Sequence, residues 1–164
     1  LLDPFCGTGG FLIEAGFMGI KVVGYDISKS MAKGCKENLK YFKIKNYKIS
    51  VQNALNIKNK FNYVVTDLPY GLNSNVYLQY SEYSLKQKSN KINLKTDKNQ
   101  IKNIEQFYLK FLKMLRKVLG KSAVIIFPSF VNYRKLLKTA KFRIEKEFSI
   151  HVHRSLTRKI VRIR

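Results

Sequence analysis

Asp3-Pro4-Phe5-Cys6-Gly7-Thr8-Gly9-Gly10 runs directly into the apolar stretch Phe11-Leu12-Ile13-Glu14-Ala15-Gly16-Phe17-Met18. A strand end, a glycine turn and a short buried helix form the opening unit of an α/β sheet that binds a nucleoside-type ligand. Gly7 and Gly9 let the chain turn sharply and bring bare backbone close to that ligand. Working outward, residues 21–26 read as a strand ending in an acid, and Asp26 follows Gly9 by seventeen residues. That offset is close to the ~20 residues at which a strand-end carboxylate accepts ribose hydroxyls. A second motif, Asp67-Leu68-Pro69-Tyr70-Gly71, closes an apolar strand at residues 62–66.

The remaining periodicities are consistent with one domain over residues 1–164. Ser28 caps a helix whose apolar stripe is Met31, Cys35, Leu39 and Phe42. Residues 48–51 form a third short strand. Residues 79–103 are rich in Lys, Asn, Gln and Ser without a clear period, and are expected to be a mobile surface loop. Residues 104–119 are amphipathic and helical, with Phe107, Phe111, Met114, Leu115 and Val118 inward. A buried strand follows at 122–127, a helix at 132–140, and a strand in which Ile144, Phe148, Ile150 and Val152 alternate with polar residues. That alternation predicts one buried face. Residues 159–163 make the last strand. The order β-α-β-α-β-β-α-β-α-β-β fits an α/β fold with a doubly wound, mostly parallel seven-stranded sheet and a C-terminal antiparallel hairpin.

Bulk properties exclude several classes. No run approaches the ~18 apolar residues of a membrane span, so no membrane partner is expected. The two cysteines, Cys6 and Cys35, have no disulfide framework around them and point to a reducing cytoplasm. With His151 and His153 the only histidines, no metal is expected. The chain has no initiator Met, and Leu1-Leu2-Asp3 reads as a strand already under way, so upstream sequence is expected.

Charge adds a partner. Lys and Arg number 32 against 10 Asp and Glu, a net charge of +22. Residues 1–78 hold 10 basic and 5 acidic groups, whereas residues 79–164 hold 22 and 5. The excess sits away from the glycine motif and reads as a surface facing a polyanion, nucleic acid above all. An AT-rich genome inflates lysine, yet it should inflate glutamate as well, and glutamate is scarce here.

The Asp67 turn suits a particular chemistry. An exocyclic amine is a poor nucleophile because its lone pair is delocalised. Acceptors on its two N–H groups orient it and favour the pyramidal, attacking state. Asp67 offers a carboxylate oxygen, the Leu68 carbonyl offers a second acceptor, and Pro69 fixes φ to hold that carbonyl in place. Tyr70 supplies a flat ring on which a flipped-out base can stack. A nicotinamide enzyme competes for the glycine loop. It is disfavoured because Gly7-Thr8-Gly9-Gly10 lacks the full G-x-G-x-x-G spacing and the Asp67 turn has no redox role. Cys6 beside the glycines has no base arranged around it, and reads as packing more than as a nucleophile.

The segments 2–16, 24–27, 66–71 and His153-Arg154-Ser155-Leu156-Thr157-Arg158 resemble the archaeal and eukaryotic tRNA guanine-10 N2-methyltransferase family, within the class I S-adenosylmethionine-dependent methyltransferases of Rossmann-like fold. The resemblance implies S-adenosylmethionine as cofactor, with Asp3 near the methionine amino group, Gly7 and Gly9 beside the methionyl chain, and Asp26 on the ribose. Asn53 matches a position where such enzymes often carry an Asp that contacts the adenine amine, and Phe5, Ile27 and Ala54 go with the same cofactor set. Asp67, Leu68, Pro69 and Tyr70 carry the catalytic role, and His153, Arg154 and Arg158 that of binding RNA phosphate. The substrate implied is tRNA and the reaction is addition of one or two methyls to guanine N2. A monomer is expected, with a small activator subunit as a candidate further partner. The family usually has Pro where this chain has Leu68, and its members carry an N-terminal THUMP module that these 164 residues do not include. A chain limited to this domain is expected to hold the chemistry and to select its tRNA poorly. Sibling readings are a ribosomal RNA guanine-N2 or a DNA adenine-N6 methyltransferase, and from another class a degenerate RNA-binding module of the same fold. A protein-glutamine methyltransferase is disfavoured by Asp67 and by the charge.

Overall fold

The computed structural model describes residues 1–69, 98–153 and 156–164, with backbone alone at 98–100, 153 and 156. Strand β1 (Leu2–Asp3) leads through the glycine turn into α1 (Gly10–Phe17), then β2 (Val22–Asp26), α2 (Lys29–Tyr41) and β3 (Tyr47–Val51). A single 3-10 turn at Ala54–Asn56 precedes β4 (Phe61–Asp67). After it come α3 (Lys98–Val118), β5 (Leu119–Pro128), α4 (Tyr133–Thr139), β6 (Ile144–His153) and β7 (Leu156–Ile163).

The seven strands form one sheet in the order β3-β2-β1-β4-β5-β7-β6. Pairing is parallel from β3 through β5, while β7 runs antiparallel to both β5 and β6. The expected doubly wound sheet with its terminal hairpin is therefore present. Winding reverses between β1 and β4, and in open α/β sheets the crevice beyond the strand ends at such a reversal takes the ligand.

Each face of the sheet has its own core. Val22 and Tyr25 lie three apart on β2 and so point to opposite faces. Val22 joins Leu12, Cys35, Leu39 and Ile49 under α1 and α2. Tyr25 joins Leu2, Val64, Phe111, Ile125 and Val161 under α3 and α4. The inward stripe expected for α3 is buried at all five positions, and Ile104, Tyr108 and Leu112 extend it. The helix starts at Lys98, so the end of the expected loop, residues 98–103, is helical; residues 79–97 lie outside the described residues. Ser28 caps α2, its hydroxyl accepting from the Met31 N–H. The buried stripe of that helix is Ala32, Cys35 and Leu39, while Met31 and Phe42, read as part of it, are exposed.

The largest departure is β6. Phe148, Ile150 and Val152 are 62%, 50% and 46% exposed, and every residue from 146 to 152 is exposed. Of the four apolar residues in the alternation, Ile144, at the start of the strand, is the one that is partly buried. A register shift between Ile144 and Lys146 breaks the two-residue period: Ile144 and Glu147 pair with Ile163 and Val161 on the core face, whereas Phe148 and Ile150 pair with Ile160 and Arg158 on the opposite face, which lies open on this edge strand. The neighbouring acids are engaged instead: Glu145 pairs with Arg162 of β7 and with Arg164 just beyond it, and Glu147 with Arg134 and the Tyr133 hydroxyl of α4. No helix among the described residues is long and apolar enough to cross a membrane.

Candidate active site

Three parallel strands end in acids: β1 in Asp3, β2 in Asp26 and β4 in Asp67. Because β2, β1 and β4 are consecutive in the sheet, the three carboxylates share one rim at the winding reversal.

Asp26 is buried, and each of its oxygens accepts one backbone N–H. Oδ2 accepts from Gly7 at 2.9 Å and Oδ1 from Ser28 at 2.8 Å. The first bond ties the glycine loop to β2, and the second starts the turn into α2. A carboxylate oxygen can accept two hydrogen bonds, so acceptor capacity for hydroxyl groups remains.

The two glycines have different reasons to be glycine. Gly7 has φ +50, and a Cβ placed there would meet nothing within 4 Å, so the loop presents bare backbone to open space. Gly9 has φ +97, and its Cβ would stand 2.8 Å from the Cys35 sulfur. Its missing side chain lets α2 close onto the loop. Read from sequence as a ligand contact, Gly9 thus has a packing cause in the structure. The N–H of Gly9 donates to the Cys6 carbonyl at 2.8 Å, which closes the turn.

Asp3 is almost wholly buried. Its Oδ1 accepts from the Thr66 hydroxyl at 2.8 Å and from the Phe5 N–H at 3.1 Å. Burial pushes its carboxyl up to about 7, against the effect of those two hydrogen bonds, and the negative charges of Asp26 and Asp67 act in the same direction as burial. A carboxyl in this state ionises readily when a cation arrives beside it.

The Asp67 turn is held from three sides. Asp67 Oδ2 lies 3.5 Å from Nη2 of Arg158 on β7. The N–H of the fully buried Leu68 donates to the Ile126 carbonyl at 3.3 Å. The Tyr108 hydroxyl, from the buried face of α3, donates to the Pro69 carbonyl at 3.0 Å.

The other anticipated residues are placed less directly. The Phe5 ring is partly buried and packs edge-on against Phe111 and Phe107, at centroid distances of 5.0 and 6.0 Å. Ile27 is partly buried after Asp26. The Asn53 side-chain oxygen accepts from the Leu55 N–H at 2.8 Å and caps the 3-10 turn. Ala54 is fully buried in the larger core. Tyr70, Arg154 and the His153 side chain lie outside the described residues. Cys6 is buried, and hydrogen bonding with Cys35 followed by burial holds its thiol up, as suits a packing residue.

Thr66 and Tyr108 were not singled out in the sequence. A hydroxyl inside an apolar strand and a Tyr within an inward helical stripe both need a buried hydrogen-bond partner. That need was the available signal, although it does not say which partner.

The UPF0020 family, described as an RMKL-like methyltransferase domain, matches residues 1–76. Among solved structures, magnesium protoporphyrin IX methyltransferase of Synechocystis PCC 6803 with bound SAM has a TM-score of 0.70 at 16% identity, covering 99% of this chain and 68% of that one. TrmN from Thermus thermophilus has a TM-score of 0.66 at 14% identity, covering 99% and 42%. At these identities the likeness is one of fold. The tRNA (guanine(10)-N2)-dimethyltransferase of Methanothermobacter thermautotrophicus is 34% identical over 98% of this chain, which spans only 42% of that protein's length. The protein of Methanothermococcus thermolithotrophicus named as a probable tRNA (guanine(10)-N2)-dimethyltransferase is also 34% identical, over 98% of this chain and 85% of its own length. With that identity across nearly all of both sequences, the chain belongs to the tRNA (guanine(10)-N2)-dimethyltransferase family.

Proposed function

We propose that this chain transfers a methyl group from S-adenosylmethionine to the exocyclic N2 of a guanine in tRNA, at position 10. The observation that carries the reading is the Asp67 turn on the same rim as the Gly7–Asp26 loop, so that an amine acceptor site and a nucleoside site adjoin. The target class follows the names of the curated relatives.

The residues suit this cofactor. Gly7 leaves open space beside bare backbone, Asp26 keeps acceptor capacity for two ribose hydroxyls, and Asp3 is a carboxyl ready to ionise beside an ammonium. When bound, S-adenosylmethionine supplies an electrophilic methyl on a sulfonium centre. Asp67 and the Leu68 carbonyl accept the two N–H groups of the guanine amine and aim its lone pair. Pro69 limits the backbone of the turn, and Tyr70 stacks on the base. Asp67 takes up the proton that N2 sheds. Positioning of this kind accounts for much of the rate in such reactions, and a misplacement of ~1 Å costs about 100-fold. The net charge of +22 supplies affinity for the tRNA backbone, and His153 and Arg154 are read as phosphate contacts. The protein is read as a cytoplasmic monomer, with a small activator subunit as a further candidate partner.

The test is methyl transfer from labelled S-adenosylmethionine to a tRNA transcript, with nucleoside analysis of the product. N2-methylguanosine or N2,N2-dimethylguanosine is expected, lost when guanine 10 is replaced by adenine and lost with Asp67→Ala. Methylation of adenine, or of a guanine elsewhere, would refute the assignment.

A further inference from the structure

Arg158 reaches the site from the far end of the sequence. On β7 it is paired with Pro128 of β5 and with Ile150 of β6. Because β7 runs antiparallel to β5, its N-terminal part lies at the rim where the parallel strands end. From there the guanidinium spans β5 and brings Nη2 to 3.5 Å from Asp67 Oδ2. The side chains are 36% and 28% exposed, so neither member of the pair is wholly solvated or wholly enclosed.

We infer that Arg158 is a positioning residue for methyl transfer, orienting the Asp67 carboxylate and keeping it charged, rather than primarily an RNA-phosphate contact. The inference rests on the methyl-transfer reading above. An ion pair this exposed adds little to stability. Its consequence is geometric and electronic. Asp67 stands at the end of β4, where the chain leaves the sheet, and its carboxylate must hold one rotamer to meet the amine. The guanidinium on β7, reaching across β5, holds it in one. Among the described residues, Arg158 of β7 faces Asp67 at 3.5 Å and Asp3 of β1 interacts with it through charge. Asp3 disfavours a second negative charge on this rim, and Arg158 offsets that effect.

Ionisation matters to the step itself. As the bond from N2 to the methyl carbon forms, the sulfur–carbon bond breaks and its electron pair stays on sulfur. N2 gains positive charge and then loses one proton. A charged Asp67 offers only acceptors to the amine throughout, and it is the group that takes the departing proton. A protonated Asp67 would present a donor to an N–H group and misalign it.

The experiment compares wild type, Arg158→Gln and Arg158→Lys in methyl transfer to tRNA across a range of salt. Arg158→Gln is expected to lower kcat about tenfold or more, with KM for tRNA and its salt dependence little changed. Arg158→Lys, which keeps the charge, is expected to recover part of kcat. A raised KM at unchanged kcat, with a salt slope reduced by about one, would make Arg158 a phosphate contact and overturn the inference. A second readout needs no activity: carbon-13 NMR titration of the carboxyl groups. The Asp67 carboxyl is expected to titrate higher in Arg158→Gln than in wild type; an unchanged midpoint overturns the inference. If wild type methylates no tRNA, the functional reading fails, and the carboxyl titration still decides whether Arg158 governs Asp67.

Discussion

The Tyr108 hydroxyl donates to the Pro69 carbonyl at 3.0 Å, which fastens the end of the Asp67 turn to the buried face of α3. Tyr108 is itself fully buried against Phe127 and Phe107, so the anchor moves only if the core moves. Tyr108→Phe keeps the ring and removes the bond. It should cost about 1 kcal/mol of stability in urea unfolding. It should also lower kcat several-fold through a looser turn. A variant of wild-type activity would show that Pro69 needs no such support.

Asp26 joins three segments through the N–H groups of Gly7 and Ser28. Asp26→Ala should abolish measurable S-adenosylmethionine binding in calorimetry. Asp26→Asn retains one acceptor oxygen and should bind weakly. Equal binding by Asp26→Ala and wild type would remove Asp26 from the cofactor site.

Gly7 and Gly9 should respond differently to the same substitution. Both have positive φ, which costs an alanine roughly 1 kcal/mol. Gly9→Ala must in addition displace the Cys35 sulfur, 2.8 Å from the new Cβ, and its total cost should be about 2–4 kcal/mol. Cys35→Ala in the same chain should relieve part of that penalty, which a double-mutant cycle measures directly. Gly7→Ala should be the milder change in stability and the more damaging in cofactor affinity, because its Cβ enters the open space of the loop. Similar profiles for the two variants would contradict these separate roles.

Asp3 makes stability depend on pH. Its folded carboxyl titrates at about 7, raised from 3.8 by burial. The folded protein therefore holds a proton that the unfolded chain has already lost, and stability falls as pH rises between these values. The contribution is complete below about 4 and gone above about 7, and amounts to a few kcal/mol at the order-of-magnitude level. Asp3→Asn should gain on wild type as pH rises from 5 to 7 and then keep a constant lead. If Asp3 faces the methionine ammonium, cofactor binding near pH 6 should release a proton, visible as a heat that changes with the ionisation enthalpy of the buffer. A stability difference that does not vary with pH would rule out the raised carboxyl.

The charge predicts a steep salt response. With +22 on the chain, affinity for tRNA should fall by orders of magnitude between 50 and 200 mM salt, as for proteins that neutralise several phosphates at once. A shallow dependence would assign recognition to base contacts instead.

Much of this was legible in the linear chain. Local patterns mark the strands and helices because apolar spacing reports which side of an element is buried, as the inward stripe of α3 demonstrates at Phe107, Phe111, Met114, Leu115 and Val118. The motifs around Asp3, Gly7, Asp26 and Asp67 stand at strand ends because ligands in such sheets bind there, and their order along the chain follows the winding. Two residues on one strand face, by contrast, do not reveal whether anything covers that face. Phe148, Ile150 and Val152 alternate like core residues, yet a register shift after Ile144 turns Phe148 and Ile150 to the face opposite the core, and on this edge strand all three are exposed. The stripe of α2 is displaced for a related reason: the helix meets the sheet along Ala32, Cys35 and Leu39, and the larger side chains of Met31 and Phe42 fall beside that line.

What the sequence determined by itself is the set of elements, their order and the chemistry available at each strand end. These depend on neighbours a few residues apart. Tertiary structure decided the partners. Thr66 on Asp3, Tyr108 on Pro69 and Arg158 on Asp67 join residues 63, 39 and 91 positions apart. Such contacts exist only after the sheet has closed in its order and β7 has turned back antiparallel, because that folding alone brings the ends of distant strands to one rim.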